Sequence, residues 1–146
     1  AWGTALAAAL VPRRNVLLWA RDAGAAQAIA ATRRNARYLP ETELPPELRC
    51  TSDLSEAAAH ARHGLLLIAA PTAALRHLLR ELHGHAPLPP IVWLCKGLEQ
   101  ASAAMAHEIV ADELGEHPAG PLSGPSFAQT KASSNSRCQF RTRVRG

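Results

Sequence analysis

The chain has 146 residues, of which 47% are hydrophobic, 4% aromatic and 19% charged, a composition that predicts one helix-rich globular domain rather than a disordered chain. Its net charge of +4 arises in residues 130–146, which hold five of the 16 basic residues and no acid, and leave 11 basic against 12 acidic residues elsewhere. Residues 1–129 are therefore nearly neutral, which excludes a broad nucleic-acid-binding face. The three cysteines lie far apart in sequence, which excludes a disulfide framework or a zinc cluster. The apolar runs are too short to span a membrane.

The first half of the chain alternates between helical and extended signals. Its Ala/Leu-rich start predicts a short helix over residues 1–11, which Pro12 ends. The apolar run over residues 15–21 contains β-branched and aromatic side chains and predicts a strand buried on both faces. An alanine-rich helix is predicted over residues 23–34, followed by a proline-broken loop over residues 35–49.

The second half repeats this alternation and then changes character. Ser52 or Asp53 is predicted to cap the next helix, and Thr72 the one after it. The tail over residues 130–146 is polar, basic and aperiodic, which predicts disorder. The other predicted elements are a helix to about residue 63, a strand over 65–70, a helix over 72–83, a strand over 91–95, a helix over 102–114 and a weak extended segment at 121–122.

Strands that alternate with helices of about ten residues predict an α/β fold, with a parallel sheet covered by helices on both faces. Ligands of such sheets bind at the carboxyl ends of the strands. Arg21, Pro71, Lys96 and Ser123 all follow predicted strands. The sequence therefore predicts a ligand site at this edge.

The start of the chain resembles the rear of a glycine-rich dinucleotide loop. Such a loop needs a strand and then G-x-G-x-x-G, whose third glycine lets the following helix pack closely on the strand. Only Gly3 can occupy that third position, and we expect the first strand and the two earlier glycines to be missing. One glycine before an alanine-rich helix is a weak signal, and Trp2 could equally be a packing aromatic.

The residues after the first predicted strand are candidates for cofactor selection. A carboxylate at this place accepts hydrogen bonds from the ribose 2′-hydroxyl of NAD, and an arginine favours the 2′-phosphate of NADP. The chain has both types, Arg21 and Asp22, and the guanidinium favours NADPH. The alternative is an exposed strand end followed by a helix-capping carboxylate.

Two later runs hold the other candidates, C-K-G-L-E at residues 95–99 and S-G-P-S-F-A at residues 123–128. Lys96 is the lone lysine before the tail, and an ammonium at a strand end can stabilise the alkoxide that develops during ketone reduction. The second run places hydroxyls and amides in one turn. A surface lysine and an ordinary Gly-Pro turn are the alternatives.

These runs, with N-A-R-Y-L-P at residues 35–40, resemble the bacterial type of NAD(P)-dependent glycerol-3-phosphate dehydrogenase. The resemblance covers residues 1 to about 128. It implies a Rossmann-like doubly wound sheet and hydride transfer between NAD(P)H and dihydroxyacetone phosphate or glycerol 3-phosphate, in glycerophospholipid synthesis. This resemblance, with the argument on cofactor selection at Arg21, implies cofactor binding by Ala1, Trp2, Gly3, Arg21, Tyr38, Lys96 and Ala128. It implies substrate binding by Lys96, Gly124 and Ser126.

The predicted organisation is an incomplete dinucleotide-binding domain over residues 1–129, without its first strand, and a disordered basic tail over residues 130–146. The catalytic domain, with its acid/base lysine, is expected to be absent, so we expect little turnover and weak stability. A binding module without catalysis is the main alternative, and nucleic-acid binding through the tail is a lesser one. We expect a cytoplasmic protein that binds NADP(H) or NAD(H) and no metal; the oligomeric state stays open.

Overall fold

A computed structural model describes residues 2–122. Five helices alternate with short strands, and most strands are parallel, so the predicted α/β class is confirmed. The helices are α1 (Trp2–Leu10), α2 (Ala23–Thr32), α3 (Leu54–Ala61), α4 (Thr72–His83) and α5 (Ala106–Leu114). The strands are β1 (Leu17–Trp19), β2 (Arg34–Asn35), β3 (Leu39–Glu43), β4 (Arg49–Thr51), β5 (Leu66–Ile68), β6 (Ile91–Trp93) and β7 (Ala119–Pro121).

The parallel strands form two groups that are not hydrogen-bonded to each other. β1 pairs with β4, and β5, β6 and β7 form a three-stranded sheet in that order. These groups match the 3-2 and 4-5-6 portions of the doubly wound order 3-2-1-4-5-6. Within residues 2–122, β1 and β5 each keep one edge without a strand partner.

The buried apolar side chains form two hydrophobic cores. The larger core joins α4 and α5 to the three-stranded sheet and also includes Ala58 of α3, with Trp19 of β1 packed against it. Its fully buried side chains include those of Leu75, Leu79, Ile91 and Ile109. The repeat of leucines along α4 explains this packing, because residues three and four apart share one face of a helix. The smaller core contains Ala7, Ile29, Leu44 and Leu48, packed near β1 and β4.

The structure corrects the prediction of a loop over residues 35–49. This segment includes most of the antiparallel β2–β3 hairpin and the start of β4, whose partner is β1. β4 reads Arg-Cys-Thr and is exposed or half-buried along its length, so it lacks the apolar run that marks a buried strand. Pro40 lies within β3, and Pro45 and Pro46 lie between β3 and β4, so the prolines do not exclude these strands.

Two predicted helix starts also differ. α5 begins at Ala106 rather than Ser102, because Ala103 has a φ of 58° and the Ser102 hydroxyl accepts a hydrogen bond from the Ala104 amide at 3.1 Å. The N-cap of α4 is Pro71, and Thr72 is already helical. The Thr72 hydroxyl is used elsewhere, as described below. By contrast, Asp53 caps α3 as expected, through the amides of Ser55 and Glu56.

Candidate functional site

The segment over residues 95–99, called here the Lys96 turn, lies at the carboxyl end of the three-stranded sheet. After β6 the chain continues the ladder for one more bond, in which the Leu94 amide donates to the Ile68 carbonyl at 2.8 Å. The Thr72 hydroxyl, buried at the start of α4, then donates to the Lys96 carbonyl at 2.8 Å. These bonds tie the backbone of an exposed lysine to the strand and helix beside it.

Gly97 gives this turn its shape. Its φ is +91°, a conformation that residues with a side chain rarely adopt, and a Cβ there would meet no atom within 4 Å. Backbone conformation, not lack of space, therefore requires the glycine. The Lys-Gly pair places a cation where the chain turns sharply away from the sheet.

An ion-pair cluster, which was not predicted from the sequence, holds the Glu99 end of the turn. Arg76 of α4 donates to Glu99 at 3.0 Å and to Glu113 of α5 at 2.7 Å, and Arg80 also pairs with Glu113. Glu99 is only 8% exposed and also accepts the hydroxyl of Ser102. The cluster therefore joins α4, α5 and the turn.

The cluster shifts the pKa values of its carboxyl groups. The hydrogen bond from Arg76, with that from Ser102, lowers the pKa of Glu99 below its usual 4.5. Hydrogen bonds from Arg80 and Arg76 lower the pKa of Glu113 in the same way. Both carboxylates are thus held charged, as partners for Arg76 and Arg80 rather than as proton donors.

The start of α1 lies against the carboxyl end of β5. A Cβ built on Gly3 would lie 3.0 Å from the Cβ of Ala69, which directly follows β5. A glycine lets the helix approach this closely without displacing the Ala69 methyl group. Trp2, in the first turn, is 73% exposed, so it is available to a ligand rather than packed in a core.

The N-A-R-Y-L-P run adjoins this helix start. The buried side-chain amide of Asn35 donates to the Thr4 hydroxyl at 2.8 Å, and its oxygen accepts from the Tyr38 amide at 3.3 Å. Tyr38 is half exposed, with the Arg37 guanidinium 5.1 Å from its ring centroid. Asn35 therefore fixes the hairpin that bears Tyr38 to the first turn of α1.

Arg21 and Asp22 have different surroundings. The Asp22 carboxylate accepts the Ala25 amide at 2.8 Å and caps α2. The Arg21 guanidinium is exposed and lies 4.0 Å from the Glu81 carboxylate, across a cavity of about 480 Å³. The walls of this cavity are formed by Trp19, Arg21, Ser52, Leu54, His77, Glu81 and His85.

A second cavity, of about 320 Å³, lies beside the Lys96 turn and is lined in part by Cys95, Gly97, Leu98 and Met105. Burial raises the pKa of the Cys95 thiol, which disfavours the reactive thiolate. Leu98 and Met105 are both about half exposed (53% and 52%). The cavity therefore has a mainly apolar lining and adjoins the turn that carries Lys96.

Several predicted site residues cannot be placed. Ala1, Gly124, Ser126 and Ala128 lie outside the described residues, as does Ser123. Over residues 2–122, no group of three or more His, Cys, Asp or Glu side chains is arranged to hold a metal ion. None of the helices in that range is long and apolar enough to cross a membrane.

Two curated relatives are similar over most of this chain. The glycerol-3-phosphate dehydrogenase [NAD(P)+] of Aromatoleum aromaticum is 50% identical over 131 residues, which are 88% of this chain and 39% of the relative. The enzyme of the same name from Herminiimonas arsenicoxydans is 50% identical over 134 residues, 90% of this chain and 40% of its own. The chain thus spans about two fifths of the relatives it matches.

Solved structures agree with this similarity. The crystal structure of glycerol-3-phosphate dehydrogenase from Coxiella burnetii matches 87% of this chain and 39% of its own, with a TM-score of 0.77 and 33% identity. A family model described as the N-terminus of NAD-dependent glycerol-3-phosphate dehydrogenase matches residues 1–137, past the end at about residue 128 expected from the motifs. The chain belongs to the family of NAD-dependent glycerol-3-phosphate dehydrogenase N-terminal domains.

Proposed function

We propose that this chain is the dinucleotide-binding part of a glycerol-3-phosphate dehydrogenase [NAD(P)+]. One observation carries the proposal: the start of α1 and the Lys96 turn adjoin the same short segment after β5. Gly3 meets Ala69 at one end of this segment, and Thr72 bonds to the Lys96 carbonyl at the other. A dinucleotide lying along this edge would reach both the helix start and the lysine.

The residues fit a nicotinamide dinucleotide. The close approach at Gly3 is what the third glycine of a dinucleotide loop provides, and the amides of the first turn of α1 can face the pyrophosphate. Exposed Trp2 and Tyr38 offer aromatic surfaces beside that turn. When bound, the nicotinamide supplies or accepts the hydride. Lys96 would orient the ligand and stabilise the negative oxygen of the substrate.

Arg21 is proposed to select NADP(H) over NAD(H). The Asp22 carboxylate is engaged as the cap of α2, which leaves it less able to accept a ribose hydroxyl. Within residues 2–122, the Arg21 guanidinium forms an exposed ion pair with Glu81 at 4.0 Å, which a phosphate could replace at little cost. Both observations support a preference for the 2′-phosphate.

Binding and turnover are separate parts of the proposal. The dinucleotide is proposed to bind to this chain, with Ala1 and Ala128 as further contacts. Dihydroxyacetone phosphate or glycerol 3-phosphate would meet Lys96, Gly124 and Ser126. Hydride transfer at a useful rate would also require the portion of the relatives beyond the matched two fifths, since orientation of both reactants can contribute about 7–11 kcal/mol. The cytoplasm, which contains the dinucleotide pool, is the proposed location.

A titration of the 146-residue chain tests this function. Energy transfer from tryptophan to the reduced nicotinamide reports binding of NADPH and of NADH. Arg21→Ala should weaken NADPH about tenfold or more and NADH less than about twofold, because it removes a charge-assisted contact to the 2′-phosphate. Lys96→Ala should weaken both dinucleotides.

The matched control is Arg62→Ala. Arg62 follows α3, on the side of the fold where the chain enters β5 rather than where it leaves it. This variant has the same change in charge and should bind both dinucleotides like the unaltered chain. Absence of binding by both dinucleotides up to millimolar concentrations, in a protein with a cooperative thermal transition, would refute the proposed function.

A further inference from the structure

The buried hydroxyl of Thr72 has an unusual use for a residue in the first turn of a helix. Such hydroxyls commonly cap their own helix, but the N-cap here is Pro71, and no side-chain cap bond is made there. Instead the hydroxyl donates to the Lys96 carbonyl at 2.8 Å, across 24 positions of sequence. Thr72 is 4% exposed, so water competes poorly for this bond.

The turn is held at its other end as well. The Glu99 amide donates to the Ala104 carbonyl at 2.8 Å, and the Glu99 carboxylate is bound by Arg76 and Ser102. Arg76 lies one helical turn after Thr72 on α4, so two residues on one side of a rigid helix hold both ends of the turn. Between these anchors lie Gly97, with its φ of +91°, and the exposed Leu98.

We propose that Thr72 is a positioning residue for Lys96: its hydroxyl fixes the lysine backbone at the carboxyl end of β6, so that the ammonium is presented to the dinucleotide edge. Arg76 and Glu99 fix the far end of the same turn. The inference rests on the proposed function for the identity of the ligand. The anchoring itself concerns only this chain and is testable without a ligand.

Three variants separate this role from simple packing. Thr72→Val keeps the size and shape of the side chain but removes the donor and leaves the Lys96 carbonyl without it. Thr72→Ser keeps the donor and loses only a methyl group. The matched control is Thr32→Val at the end of α2, because the Thr32 hydroxyl bonds to the Ala28 carbonyl of its own helix at 2.7 Å.

Three measurements are made on each variant of the full 146-residue chain. The first uses ¹³C-methyl groups added to the amines by reductive methylation. The chain has two lysines, Lys96 and Lys131, so Lys131 serves as an internal reference and Lys96→Arg assigns the signals. The second is amide hydrogen exchange of the peptide over residues 95–105, and the third is the affinity for NADPH.

Thr72→Val should shift or broaden the Lys96 methyl signal, speed exchange at residues 95–105, and weaken NADPH by about 3- to 10-fold. Thr72→Ser should restore all three to near the unaltered values, and Thr32→Val should change none of them. A Thr72→Val chain with an unchanged Lys96 signal and unchanged exchange overturns the proposal, whatever its melting temperature. So does a Thr72→Ser chain as impaired as the valine variant.

The two proposals fail in different ways. If the unaltered chain does not bind NADPH, the proposed function is refuted, and the ligand-free signal and exchange still decide whether Thr72 anchors the turn. If NADPH binds with equal affinity to the valine variant, Thr72 does not position Lys96 for that ligand, and the proposed function stands.

Discussion

The contact between Gly3 and Ala69 leads to a prediction about how α1 packs on the sheet. In Gly3→Ala the new methyl carbon would begin 3.0 Å from the Ala69 methyl carbon, whereas carbon atoms prefer a separation of about 3.5–4.0 Å. Overpacking of this kind costs about 1–3 kcal/mol. Alanine also favours the helix, by at most about 1 kcal/mol at this early position. The net expectation is a destabilisation of about 1 kcal/mol.

A double-mutant cycle isolates the contact. In the Ala69→Gly background the neighbouring methyl group is absent, so Gly3→Ala should be neutral or slightly stabilising. The coupling free energy between the two positions should then be about 1–2 kcal/mol, well above the ~0.5 kcal/mol scatter expected of independent sites. The assay is urea unfolding followed by circular dichroism, with melting temperatures as a second measure.

Gly64→Ala is the matched control. Its Cβ would meet its nearest neighbour, the Ala61 carbonyl oxygen, at 3.6 Å, an ordinary contact. It should therefore be neutral or stabilising by up to about 1 kcal/mol, through the lower entropy of the unfolded chain. Equal effects of Gly3→Ala in both backgrounds would refute the close-packing argument and remove the main structural reason for assigning Gly3 to a dinucleotide loop.

Three further predictions concern stability. Since the pKa values of Glu99 and Glu113 lie below 4.5 in the folded chain, their ion pairs stabilise it above that pH and lose this effect as the pH falls further. In Glu99→Gln the free energy of unfolding should therefore fall less steeply with decreasing pH. The same pH dependence for both proteins in urea unfolding would contradict this. Asn35→Leu should cost about 1–3 kcal/mol, because the buried Thr4 hydroxyl loses its partner, and a melting temperature like that of the unaltered chain would exclude such a role. Leu79→Ala should cost about 2–5 kcal/mol because the side chain is fully buried; a loss below about 1 kcal/mol would mean that α4 is not packed as described.

Sequence reasoning succeeded where a short pattern determines a local structure. The apolar runs before Arg21, Pro71 and Lys96 predicted three of the parallel strands, because a strand buried on both faces is apolar throughout. The first of these, β1, is a strand as predicted but is half-buried along its length rather than buried on both faces. The half-buried β4 has no such pattern and was missed. Its position follows from pairing with β1, which a local pattern does not encode.

The candidate site divides in the same way. The motifs singled out Lys96 and Gly3 as candidates, which stay predictions, but not their contacts with Thr72 and Ala69, because those contacts join distant parts of the chain. The Arg76 cluster depends on where α4 and α5 meet, which charge spacing along either helix alone does not reveal. Thr72 was predicted to cap α4, but its hydroxyl donates a hydrogen bond to the Lys96 carbonyl instead.

Among residues 2–122 the two hydrophobic cores share no buried residue, although Trp19 of β1 packs on the larger core, and this bears on cooperativity. Regions built on separate cores can open in separate steps, so one region can exchange its amide protons while the other stays protected. Trp2 belongs to the helix that packs on the smaller core, and Lys96 follows a strand of the larger one. A ligand that touched both would merge the two openings into one, and its binding energy would appear as a sharper, single melting transition.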